Sequence, residues 1–328
     1  MRVTVLAGGI GGARFLRGLL DCSPRPEVTV IGNTADDVTL HGLRVCPDLD
    51  TVMYTLGGGI HEGQGWGRQG ETFGVADELA AYGQEPAWFT LGDRDIATHI
   101  VRTRLLGQGL TLSQVTARLC ERWQPGVRLL PMSDDRVETH VVIDDSGEGG
   151  ARKAVHFQEW WVRLHAAVPA RQILAVGIES AAPAPGVVEA ILEADVVILP
   201  PSNPVVSIGT ILGVPGVRQA LRETAAPVVG VSPIVGGAPV RGMADACLTA
   251  IGVETSAAAV AGLYADVVDG WLVDDADAAV AGLTLPGRHD RLAVRSRPLL
   301  MTDPAATTAI AAAALDLAGE LTRVTHER

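Results

Sequence analysis

Residues 1–12 read MRVTVLAGGIGG, and this stretch decides the fold of the N-terminal half. The β-branched run Val3–Leu6 predicts a buried strand, the glycine-rich run Gly8–Gly12 (GGIGG) follows it, and a helix is expected from about Ala13 to Leu20. This order is typical of a Rossmann-like unit, in which backbone N–H groups at a helix N-terminus bind a phosphate. A tight structural turn is the simpler alternative for the same glycines.

Short apolar runs alternate with amphipathic stretches along the rest of the 328 residues. Further strands are expected at Val28–Ile31, Trp88–Thr90, Val127–Leu130, Ile173–Ile178, Val196–Leu199 and Val228–Val231. Helices are expected at Leu49–Leu56, Val75–Tyr82, Ile96–Leu106, Leu112–Trp123 and Val187–Glu193, and from Ala305 onward. We therefore predict an α/β fold with a Rossmann-like, mostly parallel sheet and helices on both faces.

The middle of the chain breaks this rhythm. Val137–Ile143 alternates like a half-buried strand, residues 144–150 (DDSGEGG) predict a turn, and Lys153–His156 can return as the hairpin partner. We interpret this segment as a small inserted α+β subdomain. The expected organisation is a Rossmann-like N-terminal half at 1–135, the insertion at 136–170, and the rest of the α/β core with a C-terminal helix at 171–328.

Composition excludes several classes of function. Lys and Arg number 26 against 38 Asp and Glu, so the net charge is −12, which argues against nucleic acid as a partner. No run of about 18 apolar residues predicts a membrane span, and we expect a cytoplasmic protein. The four cysteines are scattered without metal-site spacing, so free thiols are expected.

The glycine run lacks the signature of a nicotinamide site. Counted from Gly9, the pattern GxGxxG needs its third glycine where Arg14 stands. The acidic residue that would hold a ribose after the second strand is replaced by Asn33. Both departures count against a nicotinamide-dependent oxidoreductase.

Two acidic loops follow the second strand. The segment Asn33–Asp37, which ends in Asp36 and Asp37, comes directly after this strand, and Asp48 and Asp50 open the next helix. Carboxylates from two such loops can converge on Mg²⁺ and neutralise charge in phosphoryl transfer. Helix capping is the alternative, and for Asp48 it is the interpretation we favour.

Small polar loops follow other strands. The segments 91–95 (LGDRD), 201–209 (PSNPVVSIG) and 231–237 (VSPIVGG) suit a ligand at one edge of the sheet. Residues 56–71 hold seven glycines and predict either a mobile lid or slack in a surface loop.

Taken together, the motifs resemble a known family. AGGIGGARFL (7–16), GNTADD (32–37), HGLRVCPDLDT (41–51), LGDRDIATH (91–99), PMSDDRVETHV (131–141), PSNPVVSIGTIL (201–212) and VSPIVGG match, in order, the 2-phospho-L-lactate transferases of coenzyme F420 biosynthesis. The similarity is to the actinobacterial phosphoenolpyruvate transferase branch.

The resemblance implies a reaction. The ribityl hydroxyl of the deazaflavin Fo would attack an enolpyruvyl- or lactyl-diphosphoguanosine donor, release GMP and form dehydro-F420-0 or F420-0. It also implies Mg²⁺ and a homodimer. The related alternative is a nonenzymatic regulator that binds nucleotide sugars, although the glycines that follow the acids in those regulators are missing here.

The resemblance also suggests roles for residues. Asp37 and Asp50 are the expected catalytic and metal-binding carboxylates, and their asparagine variants should lose turnover with folding intact. The expected Fo contacts are Asp50, Thr90, Asp93, Arg94 and His99. The expected guanosine nucleotide contacts are Gly9, Gly11, Gly12, Asn33, Ser202, Asn203, Ser207, Gly209, Ser232 and Gly236.

Overall fold

A computed structural model describes residues 1–145 and 150–326. Its strands, in chain order, are β1 (Arg2–Ala7), β2 (Glu27–Gly32), β3 (Val38–Leu40), β4 (Leu43–Val45), β5 (Arg128–Pro131), β6 (Glu138–Asp144), β7 (Arg152–His156), β8 (Ala170–Val176), β9 (Val196–Leu199), β10 (Val228–Val231), β11 (Ile234–Val235), β12 (Ala238–Pro239), β13 (Gly270–Val273), β14 (Pro286–Gly287), β15 (Asp290–Arg291) and β16 (Ala293–Ser296). Its α-helices are α1 (Gly9–Leu20), α2 (Pro47–Leu56), α3 (Gly74–Ala81), α4 (Asp93–Gly107), α5 (Leu112–Trp123), α6 (Val187–Leu192), α7 (Gly209–Gly213), α8 (Val217–Glu223), α9 (Ala244–Ala250), α10 (Ala257–Leu263) and α11 (Pro304–His326).

Seven parallel strands form the central sheet in the order β16-β13-β10-β9-β1-β2-β5. From β1 the chain moves to β2 and β5 on one side, and from β9 it moves to β10 on the other. The strand order therefore reverses between β1 and β9. Open α/β sheets bind ligands outside the carboxyl ends of the strands at such a reversal.

Neighbouring residues of each central strand face opposite sides of the sheet. Val5 packs with α1, α2, α5 and α11 on one face, and Leu6 packs with α6, α7, α8 and α10 on the other. Helices thus cover both faces, which confirms the predicted Rossmann-like fold class. The near-continuous apolar strands follow from this double burial.

Strands β6, β7 and β8 form a separate antiparallel sheet in the order β7-β6-β8. This sheet extends beyond residue 170, the expected end of the insertion, to Val176. The predicted hairpin is confirmed, because Val141 of β6 pairs with Val155 of β7. Residues 146–149 of the predicted turn lie outside the described residues. Ile173–Ile178 was expected to rejoin the parallel sheet, and this prediction is wrong. Strand β8 pairs with β6 because its side chains are at most partly buried, unlike the fully buried strands β9 and β10.

Two local predictions also need correction. Trp88–Thr90 forms no strand. Only Phe89 of this run packs against a small peripheral cluster that includes Leu91 and Ile96. Helix α1 begins at Gly9 rather than Ala13, so most of the glycine run lies in its first turn. The cysteines are free thiols, as predicted.

Candidate functional site

The loops that follow β1 and β9 touch each other at the strand-order reversal. A Cβ atom on Gly11 would lie 2.1 Å from the carbonyl oxygen of Pro201, and one on Gly8 would lie 2.4 Å from Cβ of Ser207. Ser202 joins the loops, because its hydroxyl donates to the Gly8 carbonyl (3.1 Å) and accepts from the Gly8 amide (3.3 Å). Glycine is required here for close approach.

This contact places the N-terminus of the 12-residue helix α1 at the carboxyl edge of the sheet between β1 and β9, and we call this position the crevice. Gly8, at the N-cap position, has no side chain to accept from the first amides of the helix. The Gly9 amide donates to the Asp48 carboxylate. The other amides of the first turn of a helix attract phosphate groups. The predicted nucleotide residues Gly9, Gly11 and Gly12 therefore line the same crevice as Ser202 and Ser207.

Asn33 connects this crevice to α2 and α7. The side chain is fully buried, and its carbonyl oxygen accepts from the Thr210 hydroxyl at 2.8 Å. Its amide group donates to Asp48 Oδ2 at 3.0 Å. The expected capping of α2 by Asp48 is wrong, because α2 has no side-chain cap. The Asp48 carboxylate accepts instead from Asn33 and from the backbone amide of Gly9, the first residue of α1.

Other predicted nucleotide residues are occupied within their own turns. The side-chain oxygen Oδ1 of Asn203 accepts from the backbone amides of Val205 and Val206. These residues open a π-helical turn (Pro204–Ile208) that continues into α7 at Gly209. Ser232 bonds to Ile234, and the Gly236 amide donates to Asp277.

Asp36 and Asp48 form a pair of like charges beside the crevice. Asp36 is buried, and its Oδ1 has no hydrogen-bond partner. Burial, with repulsion from Asp48, raises the pKa of Asp36 well above its ordinary value. Burial also raises the pKa of Asp48 to about 6. In the described part of the chain, no cationic side chain lies within 4.0 Å of either carboxylate.

Asp37 and Asp50, by contrast, each have an arginine partner. Arg44 lies 3.1 Å from Asp37, and the buried Arg102 donates to Asp50. Burial raises the pKa of Asp37 to about 7, although Arg44 opposes this shift. Asp37 Oδ1 and Asp50 Oδ2 remain without a hydrogen-bond partner. Each carboxylate thus has one oxygen paired with an arginine and one buried oxygen without a hydrogen-bond partner.

Helix α4 contributes one face to this ionic network. His99 lies 3.4 Å from Asp95 and 3.8 Å from Asp50, and its Nδ1 lies 3.1 Å from Arg102. The Tyr54 hydroxyl donates to Asp95 at 2.6 Å. His99 is fully buried, so its predicted contact with Fo would be indirect in this arrangement.

The inserted sheet holds the acidic loop by its backbone. His156 Nε2 donates to the Asp37 carbonyl (3.2 Å), and the Gln158 side chain donates to the Asp36 carbonyl (3.3 Å). The backbone N–H of Gln158 donates to His156 Nδ1, which leaves Nε2 as the protonated nitrogen of the imidazole. Burial lowers the pKa of His156 and favours this neutral form.

Two carboxylates, those of Asp93 and Glu71, each accept from the first backbone amides of a helix to which they do not belong. Asp93 is the first residue of α4, but its carboxylate accepts from the amides of Gly74 and Val75 and so caps α3. Glu71 caps α4 instead, through the amides of Arg94 (2.8 Å) and Asp95 (2.9 Å). Thr90 and Arg94, two of the predicted Fo contacts, are exposed beside these caps.

The loop at residues 56–71 is anchored at several points. Arg17 of α1 donates two hydrogen bonds to Glu62, and Arg241 donates to the carbonyl of Gln64. Arg68 stacks on Trp123 at 4.9 Å and donates to the carbonyl of Arg94. These contacts hold the loop across α1 and α4 in the described arrangement.

Replacing Glu71 with glutamine should loosen both the loop and the start of α4. The two charge-assisted caps become weaker, at a cost of about 1 kcal/mol. Hydrogen exchange at the amides of Arg94 and Asp95 should then accelerate severalfold. The matched control is Glu78→Gln at an exposed position of α3. Equal exchange in the two variants would contradict the capping role.

Several residues of the site were not selected from the sequence. Asp36 and Asp48 were recognised but not chosen, and Arg102, Tyr54 and Glu71 were missed. A helical-face argument could have found Arg102, because Asp95, His99 and Arg102 are spaced by four and three residues.

A family model described as 2-phospho-L-lactate transferase CofD matches residues 3–296. Proteins named phosphoenolpyruvate transferase are similar over nearly the whole chain. The relative from Thermobifida fusca is 65% identical and covers 98% of this chain and 99% of its own. Relatives from Streptomyces griseus (64%; 98% and 99%) and Mycolicibacterium smegmatis (54%; 97% and 99%) match similarly.

The fold has a counterpart among solved structures. A crystal structure of a UPF0052 family protein from Bacillus halodurans superposes with a TM-score of 0.58 at 16% identity, covering 96% of this chain and 98% of its own. At this identity the likeness concerns the fold alone. Among the described residues, no helix is long and apolar enough to cross a membrane.

Proposed function

Because the chain belongs to the 2-phospho-L-lactate transferase CofD family, we propose that it makes the phosphodiester of Fo in F420 biosynthesis. The donor is enolpyruvyl-diphosphoguanosine, or its lactyl counterpart. The ribityl hydroxyl of Fo attacks the distal phosphorus, GMP leaves, and dehydro-F420-0 or F420-0 forms. The names of the relatives favour the enolpyruvyl donor.

The crevice at the strand-order reversal carries this proposal. The guanosine diphosphate part of the donor lies against the N-terminus of α1, with Ser202 and Ser207 beside it. The glycines let the loops after β1 and β9 pack closely together. This packing holds the first turn of α1 at the sheet edge, where its backbone amides would bind the phosphate oxygens. Positioning of this kind is the main protein contribution to phosphoryl transfer.

Magnesium fits the carboxylates beside the crevice. The described residues contain no group of three His, Cys, Asp or Glu side chains able to hold a metal. Mg²⁺ commonly uses only one or two carboxylates, together with substrate phosphates and water. Asp36 and Asp48 suit it best, because neither is neutralised and Asp36 has an open oxygen. When bound, the ion would neutralise charge on the diphosphate.

Asp37 and Asp50 stay the alternative ligands, since each also has an open oxygen. In this arrangement, however, the guanidinium groups of Arg44 and Arg102 already balance their charges. We assign Asp37 and Asp50 to the region between α4 and the proposed Mg²⁺ ligands Asp36 and Asp48. There Asp37 or Asp50 can orient the attacking hydroxyl.

The acceptor lies on the α4 side of the crevice in this proposal. Thr90 and Arg94 are exposed and available to the deazaflavin. Asp93 and His99 would act by holding α3 and α4 in place, because their side chains are engaged there.

Magnesium affinity should depend on pH. The pKa of Asp48 lies at about 6, above its ordinary value of 3.8, so protons compete with the ion below about pH 6. We expect the Kd for Mg²⁺, measured by calorimetry, to rise at least tenfold per pH unit below 6, because Asp36, whose pKa is also raised, competes for protons as well. A constant Kd down to pH 5 would rule out Asp48 as a ligand.

The function is tested by incubating the chain with Fo, MgCl₂ and each donor, with products identified by LC–MS. GMP together with phosphoenolpyruvyl-Fo is the expected result. A product with the lactyl donor alone keeps the transferase but changes the substrate. No product with either donor, despite tight nucleotide binding, would contradict the proposal and favour a nonenzymatic regulator.

A further inference from the structure

Two arginines meet beside the N-terminus of α1. Arg14 lies in the second turn of this helix, and Arg241 comes from the loop between β12 and α9. A Cβ atom on Gly65 would lie 3.1 Å from Nη1 of Arg241 and 3.8 Å from Nη2 of Arg14. It would also lie 3.1 Å from Ile10, which shares a face of α1 with Arg14. The backbone of the glycine-rich loop thus covers one side of the pair.

The pair makes no salt bridge of its own with any described residue. In the described ranges, no carboxylate oxygen lies within 4.0 Å of Arg14 or Arg241. Glu62 is the nearby acid, but it is engaged by two hydrogen bonds from Arg17. Arg241 donates to the Gln64 carbonyl, which brings no formal charge.

The partly buried Arg14 and the exposed Arg241 carry like charges and repel each other. Burial, with repulsion from Arg241, lowers the pKa of Arg14. An arginine remains protonated at neutral pH, so this strain persists until an anion lies between the guanidinium groups. A bidentate oxyanion is the ligand class that this geometry suits.

We propose that Arg14 and Arg241 form an anion subsite for the guanylyl donor. The inference rests on the proposed function and extends it. The donor carries two kinds of oxyanion, the diphosphate and the carboxylate of its three-carbon group. Both have oxygens that a guanidinium pair can bind, so the subsite is assigned to an oxyanion of the donor. The position of Arg14 on α1 also explains why an arginine stands where a nicotinamide site needs glycine.

The test measures binding by calorimetry to Arg14→Gln, Arg241→Gln and the double variant. Arg241 is exposed, so its variant should fold normally. Arg118→Gln on α5, which removes one charge from an exposed pair with Glu121, is the matched control. The probes are inorganic pyrophosphate, GDP and enolpyruvyl-diphosphoguanosine.

We expect each single variant to weaken donor binding about tenfold, and the control to leave it unchanged. An equal loss for pyrophosphate and GDP assigns the subsite to the diphosphate. A loss for the donor alone assigns it to the carboxylate. Unchanged affinity for all three probes in the double variant would overturn the proposal. Arginine-dependent binding of pyrophosphate, without binding of GDP or donor, keeps the subsite but refutes the proposed function.

Discussion

Replacing Asp48 with asparagine is expected to cut turnover about a thousandfold and, at the same time, to stabilise the fold. Turnover falls because a metal-bound charge contributes several kcal/mol to the transition state. Stability rises because the charged carboxylate is unfavourable in the fold. Its pKa of about 6 exceeds the ordinary 3.8, so the folded chain binds more protons than the unfolded chain between these values.

The contribution of Asp48 to the free energy of unfolding of the wild-type protein should therefore decrease as pH rises from about 4 to 6. At pH 8 the uncharged asparagine should raise the free energy of unfolding by about 1–3 kcal/mol. Chemical denaturation without Mg²⁺ measures this gain. Asp36→Asn should behave alike, since its pKa is also raised by burial and by Asp48.

Asp50→Asn provides the contrasting control. The sequence alone suggests that this variant folds normally, but the structure places Arg102 against Asp50 in the interior. Asparagine would leave a buried guanidinium unpaired, at a cost of about 3–5 kcal/mol. We therefore expect opposite stability changes at positions 48 and 50. A loss of stability at both positions would contradict the assignment of Asp48 as an unneutralised carboxylate.

Gly11→Ala should have the second large effect. The new Cβ would meet the Pro201 carbonyl at 2.1 Å, and a backbone atom cannot move aside as a flexible side chain can. The loops after β1 and β9 would have to separate, at a cost of about 3 kcal/mol. A shift of about 1 Å at the phosphate-binding helix should also lower turnover about a hundredfold.

Gly319→Ala in α11 is the matched control, because its added Cβ meets no atom within 4 Å. This substitution should stabilise the helix by about 0.5–1 kcal/mol and leave turnover unchanged. Thermal unfolding and steady-state rates of the two variants make the comparison. Wild-type activity in Gly11→Ala would show that the two loops need not touch.

The parallel core was predictable because each central strand is a short β-branched run next to a glycine or polar loop. The outer strands β13 (GWLV) and β16 (AVRS) were not recognised, since neither has the run of β-branched residues found in β9 and β10. Ile173–Ile178 was identified as a strand but assigned to the wrong sheet. Sequence pattern indicates extended structure and does not indicate the pairing partner.

The sequence also predicts the acidic loops as the candidate site. It does not predict which of their carboxylates pair with arginines and which do not. Asp48 and Asp50 are two residues apart on α2 and face different surroundings. Asp50 meets Arg102, which is 52 positions away, and Asp48 meets Asn33 and the glycine turn. Which carboxylate remains unneutralised depends on these long-range contacts, and spacing along the chain contains no information about them.

The bonds from His156 and Gln158 have a practical consequence. Both donate to main-chain carbonyls of Asp36 and Asp37, so they persist whatever side chains these positions carry. An asparagine variant at position 36 should therefore keep the loop path of the native protein while it turns over slowly. Such a variant is suited to trapping donor and acceptor together, so that a ternary complex can be crystallised before the phosphodiester forms.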